Sequence, residues 1–337
     1  MNWSRRADGS RSDRELTEEL LGGPDRPAAP AAGPATPEHA APEHALAGAD
    51  PYDDGPLNPA RRVSTEPEGE GDDRSARPVV EVSDWTMTVK KQPVFGGVDL
   101  VVGEGGMGLI RGPGGSGKTA LLLSLAGRMQ VSDGTGQVCG DDLRKHPGRV
   151  RKHVALANVG GITDLEDNFT VAQHIAERLI MVQPWYKPPF VSRKSVRAAA
   201  ERIRHAFTEA GELLDARPDE ARLDSDDARR ADFLSDLEEQ TFVGDLSPLQ
   251  QFFLQIGLAM LEAAPVLAVD NLDLLRQGVD RERAWAGLCL VQRLRDERRD
   301  RGPLTLLVTC EDDSELGSTL TALGPELAAT EIERVTL

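Results

Sequence analysis

The chain has 337 residues, 39% of them hydrophobic, and a formal net charge of −17. That charge argues against nucleic acid as the main partner, because binding a phosphate backbone needs a basic surface. The three cysteines, Cys139, Cys289 and Cys310, have neither metal-ligand spacing nor a disulfide framework, which suits a reducing cytoplasm.

Half of the prolines precede Val79, and no lysine occurs before Lys90. Residues 1–77 are built from Ala, Pro, Gly, Asp, Glu and Arg, with the short tandem Pro37-Glu-His-Ala40 and Pro42-Glu-His-Ala45. Too little apolar surface is present to offset the entropy of ordering, so this segment is expected to be a disordered tail. Within it, Asp13 to Leu21 reads as a short charged helix with Leu16, Leu20 and Leu21 on one side. No charged-then-apolar leader opens the chain and no apolar run approaches the ~20 residues of a membrane span. The expectation is a soluble, cytoplasmic protein that reaches a membrane only through a partner. Residues 78–337 suffice for one well-buried α/β domain.

That domain begins with the strand signals Val79 to Val82, Trp85 to Val89 and Val98 to Val102. Met107 to Arg111 reads as a buried strand. It runs into Gly112, Pro113, Gly114, Gly115, Ser116, Gly117, Lys118 and Thr119, a complete G-x-x-x-x-G-K-[ST] phosphate loop, and then into an apolar helix, Thr119 to Ala126. Glycines there let backbone N–H groups close around a polyphosphate, and the helix N-terminus adds partial positive charge. Lys118 would reach the β- and γ-phosphates, and the Thr119 hydroxyl would ligate Mg²⁺. A turn at Gly134 to Gly136 leads to a strand at Gln137 to Cys139, and Val154 to Ala157 is another strand. Helices are expected over Thr170 to Met181, Ser192 to Ala210 and Asp226 to Glu239. Strand signals return at Val266 to Val269 and Leu304 to Val308, each preceded by a helix. The pattern is an α/β sheet interrupted by a helical insertion at roughly 168–248. Two basic runs, Arg144 to Lys152 and Lys187 to Arg204, read as solvated surface or as faces turned to an anionic membrane.

From Val79 onward the order of these pieces resembles the nucleotide-binding domain of the ATP-binding cassette (ABC) family. The phosphate loop continues as Leu121-Leu-Leu-Ser-Leu-Ala-Gly127, then Ser132-Asp-Gly134 and Gly136 to Leu143. Leu246-Ser-Pro-Leu-Gln250 sits where the family carries its signature loop L-S-G-G-Q, and Pro265 to Asp270 matches the Walker B strand. The resemblance implies a P-loop NTPase sheet of the ABC ATPase type with an inserted helical subdomain. It also implies ATP and Mg²⁺ as cofactors and a dimer with a second nucleotide-binding domain, homo- or heterodimeric. A membrane permease subunit would hold the complex at the inner face of the cell membrane. Asp270 would hold the metal together with Thr119.

The departures matter as much. Where the family has a glutamate that polarises the attacking water, this chain has Asn271, whose neutral amide can orient that water but cannot take its proton. In the signature-like loop Pro248 has no N–H, so at least one phosphate donor is lost. Ser247 is either a retained γ-phosphate contact or simply the N-cap of a helix with Pro at its first turn and Gln250 at N3. The switch histidine is replaced within Thr309-Cys310-Glu311, and no histidine follows His205. Between Asn158 and Asn168 the family's loop glutamine is missing, leaving Asn158, Asp164 or Glu166 to fill part of its role. The adenine-stacking aromatic falls by count near Val89, while Trp85 reads equally as core or base platform. Trp185, Tyr186 and Phe190, in a proline-punctuated loop, are either contacts for a permease helix or a satellite core. These positions predict a protein that binds MgATP, either as a transporter subunit that hydrolyses it slowly or as a non-hydrolytic ATP-dependent scaffold.

Overall fold

The computed structural model describes residues 78–215, 238–297, 302–324 and 331–337. The expected tail with its short helix, and nearly all of the acidic helix expected at 226–239, lie outside the described residues.

Strands β1 (Pro78–Val89) and β2 (Gln92–Gly103) form an antiparallel hairpin turned by Lys90 and Lys91, both at positive φ. The sequence suggested two strands before this turn, but β1 is continuous. Asp84, at φ 50°, bulges it, and the Asp99 carboxylate holds the bulge by accepting from the Asp84 N–H (2.9 Å) and the Ser83 hydroxyl (3.0 Å). Strand β4 (Asp133–Val138) pairs with β1 and carries a two-residue β5 (Asp141–Asp142), giving the antiparallel order β2-β1-β4-β5. The turn expected at Gly134 to Gly136 is therefore inside a strand. Glycine is needed there for close approach: a Cβ on Gly134 would stand 2.5 Å from the Asp84 carbonyl oxygen.

A parallel sheet contains β3 (Met107–Arg111), β6 (Val154–Ala157), β7 (Val266–Val269), β8 (Thr305–Cys310) and β9 (Ile332–Thr336), in the order β6-β7-β8-β3-β9. Its inner strands are near-continuous apolar runs because both faces are covered. One face, with Ile110, Val154, Val266 and Leu307, packs with helix α1 (Lys118–Leu125) and the antiparallel sheet. The other, with Leu109, Leu267, Val308 and Cys310, packs against α3 (Val171–Val182), α4 (Arg193–Asp215), α5 (Pro248–Met260), α6 (Gly278–Glu297) and α7 (Ser314–Leu323). Helix α2 (Pro147–His153) leads directly into β6. At roughly 1.5–3 kcal/mol per fully buried Leu, Val or Phe side chain, these two cores supply the main drive to fold.

Trp85 is a core residue and not a base platform: it is buried, and its indole N–H donates to Ser124 Oγ at 2.9 Å. The satellite-core reading of the α3–α4 loop is likewise overturned, because Trp185, Tyr186 and Phe190 are 94%, 70% and 72% exposed. Among the described residues, no helix is long and apolar enough to cross a membrane.

Candidate nucleotide site

Residues 112–117 link β3 to α1, which opens with Lys118 and Thr119. The loop is tight at both ends. A Cβ on Gly112 would lie 2.6 Å from Ser116 Oγ, and one on Gly117 would lie 2.6 Å from the Val94 carbonyl oxygen; both glycines have positive φ. Only glycine lets the chain curl this tightly. Lys118 is folded over the loop, its ammonium donating to the carbonyls of Gly112 (2.6 Å) and Pro113 (3.0 Å). Ser116 Oγ is buried without a hydrogen-bond partner. A glycine cradle, a buried lysine and an orphaned hydroxyl together fit a polyphosphate.

Asp270 lies at the C-terminal end of β7, only 3% exposed. Both of its oxygens are engaged: Thr119 Oγ1 donates to Oδ2 at 2.7 Å, and Thr309 Oγ1 donates to Oδ1 at 2.5 Å. Thr119 and Asp270 are thus side by side, and an oxygen pair of this kind fits Mg²⁺. Thr309 also accepts from the Asn271 N–H at 2.7 Å, so one hydroxyl from β8 ties down the end of β7. Sequence reasoning passed over Thr309, taking it only as a neighbour of the missing histidine.

Asn271 occupies the left-handed region, φ 55° and ψ 58°. Asparagine tolerates that conformation better than most residues. Asn158, at the end of neighbouring β6, has φ 57°. Its side-chain amide donates to the carbonyls of Asp270 (2.8 Å) and Asn271 (3.3 Å). Of the three residues weighed for the missing loop glutamine, Asn158 is the one that touches the end of β7. A glutamine does reach this corner, but from α5: Gln255 Oε1 accepts from the Asn158 N–H (2.8 Å) and from Thr163 Oγ1 (2.9 Å). A polar residue between Leu254 and Ile256 was the only sequence signal for it.

Ser247 is the N-cap of α5 in a capping box. Its hydroxyl accepts from the Gln250 N–H (3.2 Å), and its own N–H donates to Gln250 Oε1 (2.9 Å). Leu249 is turned into the core. Among the described residues no hydrogen bond joins Ser247 to the phosphate loop or to Asp270.

Cys310 is wholly buried in β8, and burial pushes its thiol up to about 12, so it does not take the place of a switch histidine. The next residue does face the loop. Glu311 Oε1 lies 3.1 Å from where a Cβ on Gly114 would stand, and the Glu311 N–H donates to Asp273 Oδ2 at 2.6 Å. Burial raises the Asp273 pKa above its ordinary value. The Glu311 N–H bond and the Lys118 charge oppose that shift, and the Glu311 charge adds to it. The Glu311 carboxylate therefore borders the loop from the end of neighbouring β8, with Asp273 behind it, a feature sequence reasoning missed.

A parallel sheet whose strand β3 delivers a glycine loop to a helix N-terminus, with an acidic strand end beside the loop's threonine, defines a P-loop nucleoside-triphosphate-binding domain. Residues 95–272, slightly more than half of the chain, match the family model described as ABC transporter. The chain belongs to the ABC transporter family. It is 33% identical over 98 residues to the cytochrome c biogenesis ATP-binding export protein CcmA of Cupriavidus pinatubonensis, covering 29% of this chain and 42% of that protein. It is 39% identical over 70 residues to the hemin import ATP-binding protein HmuV of Nitrobacter winogradskyi, covering 21% and 26%. It therefore spans less than half the length of these curated relatives. Among solved structures, the MJ1267 ATP-binding cassette in its ADP conformation superposes with a TM-score of 0.52 at 16% identity, covering 72% of this chain and 85% of that one. The cbiO1 protein from Clostridium perfringens gives 0.50 at 13%, covering 70% and 79%. These two superpositions establish the fold: an ABC ATPase cassette.

Proposed function

We propose that this chain is the MgATP-binding subunit of an ABC transporter-like complex, and that it hydrolyses the bound nucleotide slowly. The observation that carries this reading is the end of β7, where Asp270 keeps its contact with Thr119 while the adjacent position is an amide, Asn271. Gly112 to Thr119 would hold the phosphates, with Lys118 turning from the loop carbonyls to the β- and γ-oxygens. Thr119 and Asp270 would hold Mg²⁺, which neutralises charge developing on those oxygens. Asn271 would orient the attacking water without accepting its proton. The absence of a general base at this position lowers turnover by ~10²–10⁴-fold.

The relatives are named as ATP-binding proteins of export and import systems, which supports a permease partner, and membership of the ABC transporter family supports pairing with a second nucleotide-binding domain. Such a subunit would work from the cytoplasmic face of a membrane. The start of α5 favours a second reading, an ATP-dependent scaffold without turnover. There Pro248 has no N–H and the capping box engages the N–H of Ser247, so of the donors at this turn only the Ser247 hydroxyl proton is left for a phosphate on a facing subunit.

Calorimetry and phosphate release on one preparation test the proposal. MgATP should bind with a measurable heat that Lys118→Ala removes, and the steady-state rate should be at most about 0.1 s⁻¹, ~10²-fold below a median enzyme. A rate near 10 s⁻¹ that Lys118→Ala abolishes would rule out both readings.

A further inference from the structure

The loop between α3 and α4 carries a surface that nothing in the nucleotide site explains. Trp185, Tyr186 and Phe190 project from it, and Met181, near the end of α3, is 69% exposed. The loop is braced from within: Lys187 N–H donates to the Pro184 carbonyl (2.9 Å), and the Gln183 side-chain amide donates to the Pro188 carbonyl (2.8 Å). Pro184, Pro188 and Pro189 remove three backbone donors that would otherwise need partners in an apolar setting. The aromatic rings are therefore held outward on a stiff frame with few amide groups to desolvate.

The charge around them is the second observation. From Arg178 to Ala200 the chain contains no aspartate or glutamate, although its net charge is −17. Lys187, Arg193 and Lys194 have no carboxylate partner among the described residues, whereas Arg178 and Arg197 are paired with Glu262 and Glu239. Arg193 and Lys194 open α4, whose first turn holds no acid. Cations there oppose the helix dipole, a placement unfavourable within the chain and favourable only if an anion lies outside it.

We propose that this loop binds an anionic lipid surface directly, independently of nucleotide and of any permease. Trp, Tyr and Phe rings settle at the headgroup level of a bilayer, and lysine and arginine beside them are drawn to anionic headgroups. A protein helix would be met by a groove; here the largest ring, Trp185, stands almost wholly clear of its own chain.

The test is co-sedimentation of the full chain with vesicles of phosphatidylcholine alone or with about one third phosphatidylserine. Binding should require phosphatidylserine and weaken with added salt. The triple variant Lys187→Glu, Arg193→Glu, Lys194→Glu should bind ~10²-fold more weakly, since each lost basic residue accounts for roughly fivefold. Trp185 emission should shift to the blue on binding, a change absent in Trp185→Phe. MgATP affinity should be the same in every variant, which separates this proposal from the nucleotide reading. Absence of binding to phosphatidylserine vesicles, or binding equal in wild type and triple variant, would overturn it. So would a loop that engages a detergent-solubilised membrane protein while ignoring vesicles, because that assigns the surface to a protein contact.

Discussion

Replacing Asn271 with glutamate puts a proton acceptor where the ABC family keeps one, and the structure sets what the exchange costs. The residue has φ 55° and ψ 58°, and its N–H is held by Thr309 Oγ1 at 2.7 Å, so the backbone has no freedom to relax. The left-handed conformation costs ordinary L-residues roughly 1–2 kcal/mol and asparagine less, so Asn271→Glu should lower unfolding stability by about 1 kcal/mol. A second carboxylate next to Asp270 adds repulsion that Mg²⁺ would relieve. Against this, a positioned base contributes ~10²–10⁴ in rate, equal to roughly 2.7–5.4 kcal/mol of barrier. The two effects are read separately, by urea denaturation and by phosphate release at saturating MgATP. A clear rise in rate with slightly reduced stability is expected. Asn271→Gly, which suits the backbone but supplies no base, should leave the rate low. If Asn271→Glu folds, binds ATP and hydrolyses no faster, the missing base is not what limits turnover and the reasoning fails.

Thr309→Val removes one hydroxyl that serves both Asp270 and Asn271, leaving two buried groups short of a partner. It should cost roughly 1–3 kcal/mol in denaturant unfolding and weaken Mg²⁺-dependent ATP binding, with Thr309→Ser restoring both; full stability in the valine variant would discount the bond. Asp273 has a folded-state pKa above its ordinary value, chiefly from burial, so its charged form is disfavoured in the fold. Its contribution is therefore best at low pH and is lost as pH rises through the folded pKa. Asp273→Asn should raise the urea midpoint at neutral pH, with the gain closing as both forms become neutral in acid; a gain independent of pH would contradict the assignment. Burial pushes the thiols of Cys139 to about 11 and of Cys289 and Cys310 to about 12. At pH 8 the thiolate fraction is then ~10⁻³ or less, so iodoacetamide should label the native chain slowly and the urea-unfolded chain quickly. Rapid native labelling at Cys310 would show that the site around β8 opens.

What could be read in advance was local. The phosphate loop, the Walker B strand and the cap at Ser247 are each contained in a few consecutive residues whose types dictate the geometry. The hairpin at Lys90 and Lys91 was not legible, because two lysines at positive φ carry no turn signal; the Asp84 bulge beside it depends on Asp99, fifteen residues away. Strand β9 reads as Ile-Glu-Arg-Val-Thr, too short and too charged at a sheet edge to stand out. The supports of the site are longer in range. Thr309 reaches Asp270 across 39 residues and Gln255 reaches Asn158 across 97, so only the assembled sheet brings them together. The exposure of Trp185 was equally hidden, since an aromatic, proline-rich loop has the same composition whether it covers a core or stands in solvent.

The most direct measurement is a single-turnover experiment with the protein in excess over labelled ATP in the presence of magnesium. A median enzyme rate near 10 s⁻¹, reduced ~10²–10⁴-fold, leaves half-lives from several seconds to many minutes. Nucleotide retained on the protein after about one second should therefore still be mainly ATP, and Lys118→Ala should retain none. Conversion of the bound label to ADP within that second, or no retained label on the wild-type chain, would contradict the account.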